Sequence, residues 1–249
     1  MKRFALFSVI LLVSLIGPLA AQEPSRGPDG GTTYHVSGVE MLNIPGKPFA
    51  AKTSTEWTRT LADGSTITTR LEANLARDSR GRVYRERRSF VPANSDQKPR
   101  LNEIMIYDPV SHTQTVCAVR AMACIVTDYA PRTFFETRPA GPYANGARSL
   151  TRESIGTDTI EGIFVLGTRE TTTTNAGVIG NEQPIVATRE FWYSEELQNN
   201  LAVTRINPEE GKQVIRLSDI RPGEPDPHMF EVPIGYSVSD RRRAQRRLQ

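Results

Sequence analysis

The chain has 249 residues, a formal net charge of +3 and 38% hydrophobic residues, a length that fits one all-β domain or two small ones. The modest apolar content predicts a thin core on a single sheet. Seven of the 31 basic residues lie at the two chain ends, leaving 24 basic against 28 acidic groups, so the charge gives no argument for nucleic acid binding.

Residues 1–21 have the features of a secretory signal peptide. Lys2 and Arg3 precede an apolar run that is short for a bilayer, and small residues end at Ala21. We predict cleavage after Ala21 and a periplasmic or secreted protein, with a retained N-terminal anchor as the alternative. No later segment is apolar enough to predict a transmembrane span.

The predicted organisation beyond the signal is a flexible leader at residues 22–33, one antiparallel β domain at 34–240 and a basic tail at 241–249. Five arginines lie between Arg241 and Arg247. We interpret the tail as a solubilising segment, and as a hypothesis it makes weak contact with an anionic surface.

Short runs rich in β-branched and aromatic residues recur along the domain, separated by turn residues such as Asp63-Gly64. Sequential strands usually pair, so we expect a meander. A strand at 34–39 would open the sheet. The other predicted strands are residues 51–61, 65–76, 82–91, 101–107, 113–117, 124–127, 149–156, 163–174, 185–194, 201–207 and 212–220.

The strands at 163–174 and 185–194 form the predicted central hairpin. Glu170 and Glu190 lie in its two arms, beside arginines. If the two carboxylates faced each other they would resemble a paired-carboxylate catalytic site. Cross-strand ion pairs with the neighbouring arginines are the interpretation that we favour.

Cys117 and Cys124 are the only cysteines, and they lie in two adjacent predicted strands. Export to an oxidising compartment favours a disulfide between the arms of one hairpin. A redox couple or a metal pair is the weaker alternative, because the spacing is not Cys-x-x-Cys and no further ligands lie nearby.

Two other segments have predicted structural roles. Residues 130–148 are rich in Pro, Gly and aromatic residues, and the segment is either a linker or, as the aromatic residues favour, a loop that covers one face of the sheet. Asp226-Pro227 has the residues of a helix start, and one helical turn there would direct Met229 or Phe230 at the sheet.

The sequence contains no known catalytic motif. Its three histidines, His35, His112 and His228, have no metal-ligand spacing, and we predict neither a metal nor a cofactor. Six arginines between 77 and 88 are either an anion-binding patch or, as we favour, a solvated face balanced by acidic residues of neighbouring strands. The proposed acidic partners are Glu56, Glu72 and Glu86.

Two groups of residues carry a family resemblance. The first comprises Gly162-Ile163, Gly167-Thr168-Arg169, Ile179-Gly180-Asn181 and Glu190-Phe191-Trp192-Tyr193-Ser194, and the second Glu224-Pro225-Asp226-Pro227, Phe230, Pro233, Gly235 and Tyr236. Together they resemble a group of uncharacterised exported bacterial proteins. The Trp-Tyr strand end and the closing Phe-Pro-Gly-Tyr pattern are more distantly similar to the half-barrel family of lipoprotein carriers and envelope-stress regulators. This resemblance implies a curved antiparallel sheet and a hydrophobic cleft for acyl chains or a protein partner.

We therefore predict a mainly β fold, an open half-barrel with few short helical turns and a covering loop. The predicted function is non-catalytic binding of a lipid acyl chain or an envelope protein on the concave face. The candidate lining residues are Trp57, Phe134, Phe135, Phe164, Phe191 and Trp192. The alternatives are an envelope hydrolase, with a site assembled from scattered His, Asp and Glu, and a purely structural protein.

Overall fold

The computed structural model of the protein describes residues 38–134 and 138–242, which belong to one compact unit. The predicted signal peptide and leader, Phe135 and most of the basic tail lie outside the described residues. Within the described ranges, no helix is both long enough and apolar enough to span a membrane.

Strands dominate the structure, and the bounds below agree with the predicted runs to within a few residues. The strands are β1 (Phe49–Thr60), β2 (Thr66–Arg77), β3 (Val83–Arg88), β4 (Val91–Pro92), β5 (Leu101–Asp108), β6 (Thr113–Ala118), β7 (Ala123–Asp128), β8 (Gly141–Pro142), β9 (Arg148–Ile160), β10 (Ile163–Thr174), β11 (Ile185–Ser194), β12 (Asn199–Asn207), β13 (Gly211–Pro222) and β14 (Ser237–Asp240). Two short 3₁₀ turns, Val119–Ala121 and Pro227–Phe230, accompany them.

All of these strands belong to one sheet, in the order β14-β7-β6-β5-β3-β2-β1-β13-β12-β11-β10-β9-β8, with β4 paired to β2. The sheet consists of two meanders joined by the antiparallel pair β1–β13. The prediction of a mainly β fold with a single open sheet is confirmed. One pair departs from the antiparallel prediction, because β14 returns along the edge strand β7 in the parallel direction.

The connection between β7 and β8 requires the sheet to bend. These strands lie eleven intervals apart in the sheet order. At about 4.8 Å per interval, a flat sheet would separate them by about 53 Å. The chain between Asp128 and Gly141 reaches at most about 47 Å even when fully extended. The two edges are therefore closer than a flat sheet allows, which is the geometry of an open half-barrel.

The main core lies on one side of this sheet, which we call the inner face. In β1 the buried positions alternate from Phe49 to Trp57, and most of the facing positions of β2 and β13 are buried with them. Successive side chains of a strand point to opposite faces, so this alternation identifies the inner face. The cluster extends through β3, β10 and β12.

Residues 38–47, which we call the strap, cover part of the inner face. Val39 and Met41 belong to the main cluster, and Gly38 packs against the side chain of Thr53. The prediction that residues 34–39 open the sheet is wrong at positions 38 and 39, the two that are described, because neither belongs to a strand. The side chain of Val39 is buried against the sheet face, together with that of Met41, and does not extend the sheet edge.

A second, smaller cluster lies on the opposite or outer face, over β2, β3 and β5. The 3₁₀ turn Pro227–Phe230 packs there and buries Phe230. The Asp226 side chain caps this turn by accepting a hydrogen bond of 3.0 Å from the His228 backbone N–H. The predicted helix start at Asp226-Pro227 is confirmed, and both Phe230 and Met229 contact the cluster.

Candidate functional site

The histidines provide no enclosed catalytic group in the described ranges. His112 is exposed in the turn between β5 and β6. Nδ1 of His228 lies 3.1 Å from a carboxylate oxygen of Glu231, and its side chain is 81% exposed. Hydrogen bonding to Glu231 raises the pKa of His228. The pair is on open surface and not in a cleft.

The acidic residues do not assemble into a catalytic or metal site in the described structure either. Arg169 faces Glu190, and Glu170 faces Arg189, so the two glutamates are on opposite faces of the sheet. The paired-carboxylate interpretation is therefore wrong, and the predicted cross-strand ion pair is present between Arg169 and Glu190 at 2.8 Å. No group of three His, Cys, Asp or Glu side chains in the described ranges could hold a metal ion.

The arginines between 77 and 88 do not form one patch. Arg82 pairs with Asp78 at 2.6 Å, Arg88 pairs with Glu86 at 2.7 Å, and Arg87 pairs with an acidic side chain of β5. Of the three acidic partners that we predicted, Glu86 alone forms an ion pair with one of these arginines in the described ranges. The interpretation as a solvated face is therefore right about the charge pairing of Arg82, Arg87 and Arg88 and wrong for Arg77, which is buried.

Arg77 differs from the rest of this cluster because it is fully buried. Its Nε donates to the Lys47 carbonyl at 2.9 Å and its Nη1 to the Leu42 carbonyl at 3.1 Å, and its Nη2 donates to the carbonyl of Leu197. Burial lowers the pKa of Arg77 to about 10. The guanidinium thus ties the strap to the turn between β11 and β12.

The predicted disulfide is present. Cys117 and Cys124 are directly opposite each other in the β6–β7 hairpin, both are buried, and their sulfur atoms are bonded. The bond closes the short loop that contains the 3₁₀ turn Val119–Ala121. It therefore stabilises the hairpin close to the sheet edge, and the described structure has no free cysteine.

The candidate aromatic residues lie in several places. Trp57 is buried on the inner face and donates from its Nε1 to the Glu210 carbonyl at 2.7 Å. Phe164 lies between two buried residues of β10 and is 58% exposed, and Phe134 is 67% exposed. These residues do not form one continuous patch.

Phe191 and Trp192 are neighbours in β11, and both pack partly against the main cluster. Phe191 pairs with Val203 on the inner face, whereas the Trp192 ring lies over Gly167. A Cβ atom on Gly167 would lie 2.7 Å from the ring of Trp192 and 2.7 Å from the side chain of Ile155. The glycine is therefore required by the close approach of the indole.

The register of the strands reveals inner-face residues that the sequence analysis missed. Directly paired residues share a face, and the pairing can be followed from β2 to β9. We call the resulting set the polar row. It consists of Thr69, Trp57, Gln213, Arg205, Arg189, Glu170 and Arg152. The only signal in the sequence is the alternation within each strand, which does not reveal the register between strands.

The outer face has a shallow depression of about 260 Å³ over β1, β2 and β13. Its rim is charged, with Glu56, Arg70, Glu72 and Arg216 among the lining residues. An apolar ligand would have to lie among these charged side chains. The inner face is the better candidate site for such a ligand.

Comparisons with known proteins return similar structures only. No family model and no curated protein match the sequence. A chain of the MucA/MucB complex from Pseudomonas aeruginosa is 12% identical, with 77% of this chain and 58% of that chain covered and a TM-score of 0.39. LprF from Mycobacterium bovis is 11% identical (76% and 90% covered, TM-score 0.32), and the LolA superfamily protein NE2245 from Nitrosomonas europaea is 10% identical (76% and 91% covered, TM-score 0.28).

This chain thus spans 58% of the MucA/MucB chain that it matches. All three matches have TM-scores below 0.5. They assign no ligand, partner or residue role to this chain.

Proposed function

We propose that this chain is an exported, non-catalytic protein that binds a hydrophobic ligand, a lipid acyl chain or an apolar segment of an envelope protein, on the inner face of its sheet. The proposal rests on one observation. Outside the covered core, the inner face still has apolar side chains, and they are partly exposed. The residues concerned are Ile67, Met105, Val116, Ile125, Ile185 and Phe191.

These side chains share the inner face through the strand register. Met105 pairs with Val116, and Val116 pairs with Ile125, so three adjacent strands present apolar groups side by side. All three are only partly buried. Contiguous apolar surface is costly to leave in water and commonly marks a ligand or partner site.

Ligand binding can be tested with dodecanoate. Native mass spectrometry of the purified protein should detect bound lipid, and the fluorescence of Trp57 and Trp192 should change when dodecanoate is added. Val116→Asp places a charge on the inner face and should abolish the fluorescence change. Thr115→Asp is the matched control, because Thr115 is equally half-buried in the same strand on the outer face. Equal dodecanoate binding by both variants would contradict the proposal.

Export requires its own measurement. N-terminal sequencing of protein recovered from the periplasm of a Gram-negative host should begin at Gln22. A chain that retains Met1 in the membrane fraction would support the anchored alternative. The hydrolase alternative has no observation in its favour, since the one histidine–carboxylate contact described, His228–Glu231, is on open surface.

A further inference from the structure

The polar row contains two positive charges without an acidic partner. At one end of the row Arg152 pairs with Glu170 at 2.6 Å. The next two positions, Arg189 and Arg205, are directly opposite each other on β11 and β12. Neither forms an ion pair with a carboxylate in the part of the chain that the structure describes. Like charges in directly opposed positions of a sheet repel each other.

Arg205 is unusual because it is partly buried and incompletely hydrogen-bonded. Its Nε is buried and has no hydrogen-bond partner among the described residues. The pKa of Arg205 is lowered to about 10, chiefly by burial and also by repulsion from Arg189, against the opposing effect of Glu210 and Glu40. Glu40 is already paired with Arg132. A buried donor without an acceptor is costly, so this arrangement favours an external acceptor.

Aromatic groups flank the two arginines. The guanidinium of Arg189 lies 4.9 Å from the ring centroid of Phe191, which is one step deeper on the inner face. On the other side of Arg205 the row continues through Gln213 to Trp57. The two guanidinium groups therefore lie in the polar row, directly beside the apolar part of the inner face at Phe191. This is the arrangement that an amphiphile with an anionic head group would match.

We propose that Arg189 and Arg205 bind the carboxylate or phosphate head group of an acyl-chain ligand, whose chain runs over Phe191 along the inner face. This inference rests on the proposed function and specifies in addition that the hydrophobic ligand has an anionic head group. A guanidinium binds either anion through paired N–H donors, so both head groups are included. The bound anion would supply the missing acceptor to the Arg205 Nε and would neutralise the repulsion across β11 and β12.

The test compares three ligands of equal chain length, dodecanoate, dodecyl phosphate and dodecanol, by tryptophan fluorescence titration. Both anionic amphiphiles should bind about tenfold more tightly than dodecanol, as expected for added charge-assisted hydrogen bonds. Arg205→Gln and Arg189→Gln should each remove most of this difference and leave dodecanol binding unchanged. Arg216→Gln is the matched control, because Arg216 is exposed on the outer face of β13.

The outcomes separate this inference from the proposed function. Equal binding of dodecanol and dodecanoate by the unmodified protein would overturn this inference and leave the proposed function intact, whereas no binding of any amphiphile would overturn both. Acetate or inorganic phosphate that bound as tightly as the amphiphiles would show a free-anion site and also overturn the inference.

Thermal unfolding without ligand distinguishes a binding role of Arg205 from a structural one. Arg205→Gln should have a Tm equal to or above that of the unmodified protein, because the substitution relieves repulsion and removes a buried charge. A clear fall in Tm would show that Arg205 supports the fold, and it would overturn the assignment to a ligand.

Discussion

Replacing Arg77 by methionine should detach the strap and destabilise the whole protein. The side chain is 0% exposed and donates to three backbone carbonyls, those of Leu42, Lys47 and Leu197. Two of these belong to the strap and one to the turn between β11 and β12. Methionine fills similar volume but donates no hydrogen bond, so the substitution isolates the role of the guanidinium.

The magnitude follows from opposing contributions. A buried acceptor that loses its donor costs about 1–3 kcal/mol, so three carbonyls represent at most about 9 kcal/mol. Removing the buried charge recovers several kcal/mol of desolvation free energy. The strap also relaxes so that some carbonyls reach water. We expect a net loss of about 2–4 kcal/mol in the free energy of unfolding, at the upper end of single substitutions.

Urea unfolding followed by tryptophan fluorescence measures this loss, with the disulfide kept oxidised. Arg77→Lys should lose almost as much as Arg77→Met, because an ammonium cannot reach three carbonyls in the plane of a guanidinium. Arg216→Met, at an exposed outer-face position, should change the stability by less than about 0.5 kcal/mol. An Arg77→Met protein as stable as that control, with an unchanged m-value, would refute the reasoning.

Three further predictions concern local contacts. Gly167→Ala should lower the free energy of unfolding by about 1–3 kcal/mol through overpacking against Trp192. Adding Trp192→Phe to this variant should recover part of the lost stability. An unchanged Tm in Gly167→Ala would contradict the contact. Replacing both cysteines by serine (Cys117→Ser and Cys124→Ser) should lower the free energy of unfolding by about 2–3 kcal/mol and therefore lower the Tm. Reducing agent should lower the Tm of the unmodified protein but not that of the double variant. The raised pKa of His228 means that its contact with Glu231 stabilises at low pH and is lost as the pH rises through the folded-state pKa. An NMR titration should show that pKa falling towards 6.5 in Glu231→Gln, and no change would exclude the contact.

Most strand positions could be predicted from local pattern. Residues 163–174 and 185–194 are strands with the predicted bounds, because long runs of β-branched and aromatic residues end at turn-forming segments. The predicted strand 82–91 divides into β3 and β4. A register shift between Arg87 and Arg88 interrupts the pairing with β5, and such an irregularity has no signature in a single sequence.

The strap could not be assigned from the sequence. Val39 and Met41 are separated by the exposed Glu40, and apolar residues spaced by two are the local pattern of a half-buried strand. The apolar surface that they bury is supplied by residues far along the chain, and the hydrogen bonds that fix the segment come from Arg77, Asn43 and Arg132. Packing over a sheet face and pairing at its edge bury the same side chains, so periodicity alone does not distinguish them.

The candidate site was only partly predictable for the same reason. Register shifts follow Gly167 in β10 and Trp192 in β11. Alternate residues at the start of β10 are buried, so Phe164 is exposed although Ile163 and Val165 beside it are buried. The shifts decide which residues of neighbouring strands are paired, and a single sequence does not reveal them. Composition indicated an aromatic inner face, but it did not reveal which aromatic residues the strand register places there.

Arg77 and Arg205 are two arginines of the inner face whose charges are accommodated differently. The pKa of both Arg77 and Arg205 is lowered to about 10 with burial as the largest cause, so each charge carries a desolvation cost. Arg77 offsets that cost with three carbonyl acceptors within the chain. Arg205 lacks an acceptor for its Nε and faces Arg189 across the strand pair. Since the fold gains no hydrogen bond from the Nε of Arg205, a bound anion is the acceptor that accounts for a charge at this position. The opposite stability responses expected for Arg77→Met and Arg205→Gln follow directly from this difference.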